Sequence, residues 1–217
     1  MISRRQFVAG SSAVALMGTA FSAAGFRLIG PAFAQSPSLA DIAVAGTLGD
    51  EVVGKADAPV TIIEYASMTC SHCATFHNTT YPVLKQRYID TGKVRYIMRE
   101  FPLDPLAAAG FMLARCAGKD KFYPMIEVLF QKQKEWAVQQ PIPPLTAIAK
   151  QAGFTQESFE ACLSNQKILE GIEATRNRAA EKLGVNSTPT FFVNGKVLRG
   201  AVSIEELEKE IQPLLKS

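Results

Sequence analysis

The sequence predicts an α/β fold, a small β-sheet core interrupted by an inserted all-helical domain. Three observations carry that expectation. Strand-like runs fall in two separated groups, 60–66 with 94–101 and then 190–193 with 197–199. Between them, from Asp104 to about Leu183, the apolar spacing is helical throughout. The third is local: the apolar run 60–66 ends in a polar turn that delivers Cys70 and Cys73, with two residues between them, to the start of a helix.

Residues 1–34 stand apart from the fold. Arg4 and Arg5 precede an apolar run rich in Ala, Gly and Ser, and Ala32-Phe33-Ala34 forms a small-x-small cleavage signal before Gln35. This reads as an export signal peptide, with an uncleaved anchor as the alternative. Ser3-Arg4-Arg5-Gln6-Phe7 is compatible with the twin-arginine route and with the general secretory one. The whole chain has 23 Lys and Arg against 20 Asp and Glu, but three of the basic residues and none of the acidic ones lie in this leader. What remains is formally neutral and gives no support for nucleic acid or an anionic membrane as a partner.

Residues 35–49 read as an N-terminal tether leading into a first short strand, and 50–103 as the first part of the core. Ala58-Pro59 closes a turn that launches the strand 60–66. A helix is expected over 72–90, ended by Thr91-Gly92, and the alternating run 94–101 gives the next strand. A strand-helix-strand unit of this length implies two parallel strands. The insertion, 104–184, holds helical segments at 104–117, 121–134, 144–152, 155–163 and 166–183. The PIPP turn at Pro141 and then Gly153 break them, and Thr155 with Gln156-Glu157-Ser158 forms a capping-box pattern. In 185–217 strand character returns on either side of Asn194-Gly195, the strongest short hairpin signal. Ser203 with Glu206 caps a last helix, 203–215. The order β, β-α-β, helical block, β-β-α is that of a thioredoxin fold with a helical domain set into its middle.

The chemistry-bearing residues sit at the joints of this plan. Cys70 lies at a helix N-terminus, where unpaired N–H groups and the helix dipole favour the thiolate, the reactive form of cysteine. Cys73 is one turn further in, near enough to close a disulfide with it. His72, between them, offers a hydrogen-bond donor or a positive charge to that thiolate. Glu64 stands on the same strand face as Ile62 and Ala66, and a desolvated carboxyl there suits proton exchange with Cys73. Pro189 follows Thr188 just before the strand 190–193, a place where proline is tolerated. On sequence alone that bond would be trans. Cys116 and Cys162 fall on two helices of the insertion; in an exported chain they are expected to form a structural disulfide, the alternative being two buried thiols.

Three separated features, Glu64 with Cys70-Ser71-His72-Cys73, the helical insertion, and Thr188-Pro189-Thr190, resemble the DsbA-like thiol-disulfide oxidoreductases over nearly all of residues 50–217. The resemblance implies a periplasmic protein without cofactor or metal, with Cys70 as the attacking thiol and Cys73 as the buried resolving one. It implies that Pro189 is cis and that Thr188, Pro189 and Ser71 face an extended substrate. It further implies that Glu64 lies beneath the active site. Ser71 departs from the proline common at that position in the family.

On this basis the expected activity is introduction of disulfides into reduced, unfolded or folding exported proteins, with a DsbB-like, quinone-linked membrane protein as reoxidant. A monomer is expected. An isomerase or reductase of the same fold is the nearest alternative, although 35–49 is too short for the globular oligomerisation module such relatives carry. A chaperone-like binder of unfolded chains is the alternative from another class. A zinc site built from Cys70, Cys73 and His72 or His77 would need Cys116 or Cys162 to complete it.

Overall fold

The computed structural model describes residues 37–216, so the expected export signal lies outside the described residues. A short helix α1 (Leu39–Ala43) is followed by strands β1 (Glu51–Val53) and β2 (Val60–Ala66), then helices α2 (Ser71–Thr79) and α3 (Tyr81–Leu84). A π-helical turn, Lys85–Ile89, leads to β3 (Val94–Glu100). Six helices come next: α4 (Pro105–Cys116), α5 (Lys119–Gln131), α6 (Gln133–Trp136), α7 (Ile142–Gln151), α8 (Gln156–Leu163) and α9 (Gln166–Leu183). β4 (Thr190–Val193), β5 (Lys196–Arg199) and α10 (Ile204–Leu214) complete the chain. The sheet order is β1-β3-β2-β4-β5, with β2 and β3 parallel and the other neighbours antiparallel. This is the thioredoxin fold with its helical insertion between β3 and β4.

Both faces of the sheet are covered, which is why β2 reads as an almost unbroken apolar run. Ile62 and Ala66 belong to the larger core cluster, whereas Ile63 and Tyr65, on the opposite face, pack with Ile97, Phe192 and the α9 residues Ala179 and Leu183. Glu64 shares the Ile62 face by the two-residue period of a strand.

Local chemistry explains the element ends. Thr155 and Ser203 each form a capping box, and the Asp104 side chain accepts from the Ala107 N–H at the start of α4. Asn194 and Gly195 both take positive φ, 42° and 93°, the mirror-image turn that a two-residue hairpin needs. The helix expected as one piece over 72–90 is divided instead. Pro82 lacks an N–H and its ring crowds the carbonyl four residues back, so the helix re-forms as α3 and then widens. In the widened turn the Asp90 N–H donates to the Lys85 carbonyl at 2.9 Å. The segment expected over 121–134 is likewise two helices, separated at Lys132, where φ −98° and ψ 14° leave the helical range.

Residues 35–49, read from sequence as a tether, hold α1, and among the described residues no strand begins before Glu51. Ser38 caps α1 by accepting from the Asp41 N–H. Ile42 is buried in the second core, and its carbonyl accepts from Arg99 at 2.8 Å.

The insertion is joined to the core by Arg115 of α4, which donates to Glu100 of β3 and to the Gly49 carbonyl. The next residue, Cys116, is disulfide-bonded to Cys162 of α8, with Cα atoms 6.0 Å apart. Among the described residues no helix is long and apolar enough to cross a membrane.

Candidate active site

The site lies where β2 ends. From Ala66 the chain turns through Ser67–Thr69, the Cys70 N–H donates to the Ser67 carbonyl at 3.1 Å, and Cys70 becomes the N-cap of α2 with φ −76° and ψ 120°. The turn is pinned from the insertion: the buried Gln133 amide donates to the Met68 carbonyl at 2.8 Å and to the Cys70 carbonyl at 3.0 Å. β4 brings the opposite wall. Tyr65 pairs with Thr190, so the two residues before β4 come level with the end of β2. The Thr188–Pro189 bond is cis. The Cys70 thiol donates to the Thr188 carbonyl at 3.3 Å.

Cys70 and Cys73 are both free thiols here, Cys70 half-buried and Cys73 fully buried. Their environments push them apart. Cys70 is pulled down to about 5, chiefly by a hydrogen bond from the Cys73 thiol, against the opposing effect of burial. The Thr188 side chain and the backbone N–H groups of Cys73 and His72 add to the lowering. Thr188 Oγ1 is buried and has no other partner, so its hydroxyl is free to turn to a thiolate. Cys73 is held well above the usual thiol range, first by burial, then by its bond to Cys70, then by the negative charge of Glu64. One cysteine is therefore a thiolate at neutral pH and its neighbour is a thiol.

His72 follows Ser71 in the first turn of α2. Its imidazole is exposed and makes no hydrogen bond among the described residues, and its contribution to Cys70 comes through the backbone. That follows from geometry: a residue in the first turn of a helix aims its N–H, not its side chain, at the N-cap position. Ser71 is exposed at the first position of α2, beside Cys70.

Glu64 is completely buried, on a strand with neighbours on both sides. The Tyr96 hydroxyl of β3 donates to its Oε2, and His77 Nε2 of α2 lies 2.9 Å from the same oxygen. His77 stacks on Phe130 of α5, ring centroids 4.4 Å apart. Sequence reasoning singled out neither Tyr96 nor Gln133, and it considered His77 only as a zinc ligand. A signal for His77 was present: Cys70, Cys73 and His77 are spaced i, i+3, i+7, one face of a helix. Cys116 and Cys162 stand outside this arrangement, and their bond to each other removes both from any ligand set with Cys70 and Cys73.

Comparison with known proteins agrees in kind. A family model described as thioredoxin matches residues 47–213. A Rickettsia bellii protein given the name of protein-disulfide oxidoreductase is 38% identical over 148 residues, 67% of this chain and 57% of its own length. The chain spans 57–62% of the length of the Rickettsia relatives it matches. Disulfide bond formation protein D of Bacillus subtilis is 28% identical over 177 residues, covering 77% of this chain and 78% of that protein. Among solved structures, Wolbachia pipientis alpha-DsbA1 is 31% identical, with a TM-score of 0.73 over 77% of this chain and 91% of that one.

Proposed function

Because the chain belongs to the DsbA-like family of thioredoxin-fold protein-disulfide oxidoreductases, we propose that it works as a dithiol oxidase, with Cys70 and Cys73 as the redox pair. The substrates are reduced, unfolded or folding exported proteins, the compartment is the periplasm, and a DsbB-like, quinone-linked membrane protein is the reoxidant. A substrate thiolate attacks Cys70 Sγ of the oxidised enzyme, forming a mixed disulfide and breaking the Cys70–Cys73 bond. The electron pair goes to Cys73, which takes up a proton. A second substrate thiolate then attacks the substrate sulfur of the mixed disulfide and releases Cys70 as a thiolate. The substrate leaves with a disulfide and the enzyme with a dithiol. Thr188, Pro189 and the exposed Ser71 line the place where the extended substrate backbone lies.

The observation that carries the oxidase direction is the split between the two cysteines, with Cys70 near 5 and Cys73 far above its usual range. A leaving group with a low pKa departs faster, and a stabilised thiolate favours the reduced enzyme, which makes its disulfide more oxidising. The test is the reduction potential of the Cys70/Cys73 pair, measured by equilibration in glutathione buffers. An oxidase gives a value nearer the roughly −120 mV of DsbA itself than the roughly −270 mV of thioredoxin. A value near the latter would assign the protein to reductases or isomerases instead.

A further inference from the structure

Each turnover of the Cys70/Cys73 pair obliges Cys73, a fully buried sulfur held as a thiol, to gain and then lose a proton. Glu64 is an acid whose charge acts on it, and it too is fully buried. A proton therefore needs a way in from solvent, and three buried polar atoms without a partner mark one: Glu64 Oε1, His77 Nδ1 and the Tyr81 hydroxyl. Such atoms cost stability in a folded protein and call for an explanation. Two of them belong to residues that line one cavity of about 190 Å³, together with Pro82, Lys85, Gln86, Asp90, Glu127 and Gln131. Gln86, Asp90 and Gln131 are exposed, so the cavity opens to the surface. The His77 residue both lines this cavity and reaches Glu64. Its Nε2 is 2.9 Å from Glu64 Oε2, while its Nδ1 has no protein partner and its side chain is 1% exposed.

We propose that His77 is a proton relay between this cavity and Glu64, so that the proton taken up by Cys73 enters at His77 Nδ1 and leaves from Nε2. The proposal rests on the reading of Cys70 and Cys73 as the exchanging pair. His77 never touches sulfur, and it acts through Glu64.

The steps balance. When the enzyme's disulfide is opened, the electron pair of the broken bond stays on Cys73. Solvent in the cavity gives a proton to Nδ1, Nε2 gives its own to the Glu64 carboxylate, and Glu64 passes one to Cys73. The ring is left with its proton on Nδ1. Regeneration of the disulfide reverses each transfer: Cys73 protonates Glu64, Glu64 protonates Nε2, and Nδ1 releases its proton to the cavity. The starting tautomer returns without any rotation of the ring, which its stack on Phe130 and its contact with Tyr81 would oppose. Tyr96 holds the carboxylate in place throughout, because burial above all keeps its phenol protonated and donating. The charged and titratable groups around His77 are Glu64 on β2, Tyr96 on β3, Tyr81, Lys85 and Asp90 on α3 and the turn that follows, and Glu127 on α5.

The experiment compares wild type with His77→Phe, which keeps an aromatic ring against Phe130, and with His77→Gln, which keeps a donor for Glu64. The oxidised proteins are mixed with glutathione, and the rate of opening of the disulfide is followed against pH and against imidazole concentration. The expected result is a rate lower by about tenfold or more in both variants, a general acid–base effect of modest size. Imidazole is expected to restore part of it by entering the cavity, while the Cys70 titration midpoint remains at the wild-type value. Unchanged rates and pH profile in either folded variant overturn the relay. So does a loss that imidazole does not restore and that comes with a shifted Cys70 midpoint, since that is the signature of a structural role. Failure of the exchange reading itself is distinguishable, because the wild-type protein would then not react with glutathione at all.

Discussion

The Cys70 thiol and the Thr188 carbonyl meet at 3.3 Å although 118 positions separate them in the chain. One residue ends the turn after β2 and the other precedes β4, and the contact exists because these strands are neighbours in the sheet. The Cys70 sulfur thus lies between two loops whose relative position is set by a ladder of backbone hydrogen bonds.

The first consequence concerns ionisation. In the reduced protein, absorbance near 240 nm should report a thiolate that titrates at about 5. Cys70→Ser should abolish that transition, and Cys73→Ala should shift it upward, since the hydrogen bond from the Cys73 thiol is the largest contributor to it.

The same group gives a pH dependence with a defined sign. Cys70 in the folded, reduced protein ionises near 5, against an ordinary thiol value of 9. A group whose folded value is depressed adds stability as pH rises through the interval between the two. Thermal unfolding of the reduced and oxidised forms should therefore show the reduced form gaining on the oxidised one from pH 5 towards 9. The gain disappears below 5. Above 9 the trend turns, because the unfolded chain then ionises Cys73 and the folded one resists it.

Glu64→Gln tests the charge beneath the site. Removing a like charge should lower the Cys73 pKa without returning it to the usual range, because burial is the larger cause. In a Cys70→Ala background, alkylation of Cys73 at pH 8 should become roughly tenfold faster. An unchanged rate would mean that Glu64 does not act on this sulfur.

Gln133→Ala removes two donors from carbonyls at the active-site turn. Two lost hydrogen bonds, one of them in a buried setting, predict a loss of about 2–3 kcal/mol, read as a lower midpoint in urea. The Cys70 titration should move towards its ordinary value as the turn loosens.

Cys116→Ala with Cys162→Ala opens a loop whose ends are 46 positions apart. Chain-entropy arguments put the loss at about 4 kcal/mol. The Cys70 titration midpoint should not change, since neither sulfur enters the exchange site.

Much of the fold is legible in the sequence because its boundaries carry their own chemistry. The last insertion helix, expected over 166–183, ends where Gly184 takes a left-handed φ of 66°. The hairpin follows from Asn194-Gly195, and the final helix from Ser203 with Glu206. Where the decision is tertiary, sequence periodicity misleads. Periodicity alone does not show the π-helical turn at 85–89, the separation of α5 from α6, or the hydrogen bond by which Arg99 holds the Ile42 carbonyl of α1. The site divides in the same way. Cys70, Cys73, Glu64 and Pro189 announce themselves by spacing and context. Tyr96, His77 and Gln133 acquire their parts from partners on other elements, and no local pattern encodes a hydrogen bond between β2 and β3 or between α6 and the Cys70 turn.

The insertion leaves the sheet after Glu100, which pairs with Ala66, and the chain re-enters at Thr190, which pairs with Tyr65 on the other side of the same strand. Its two stalks are therefore anchored one strand to either side of β2, about 10 Å apart. That gap is fixed by the sheet and is indifferent to what lies between the stalks. Each doubling of a connection costs only about 0.6 kcal/mol in closure entropy. The helical block can therefore change length at little cost in closure entropy, provided that it keeps Gln133 over the Met68 and Cys70 carbonyls.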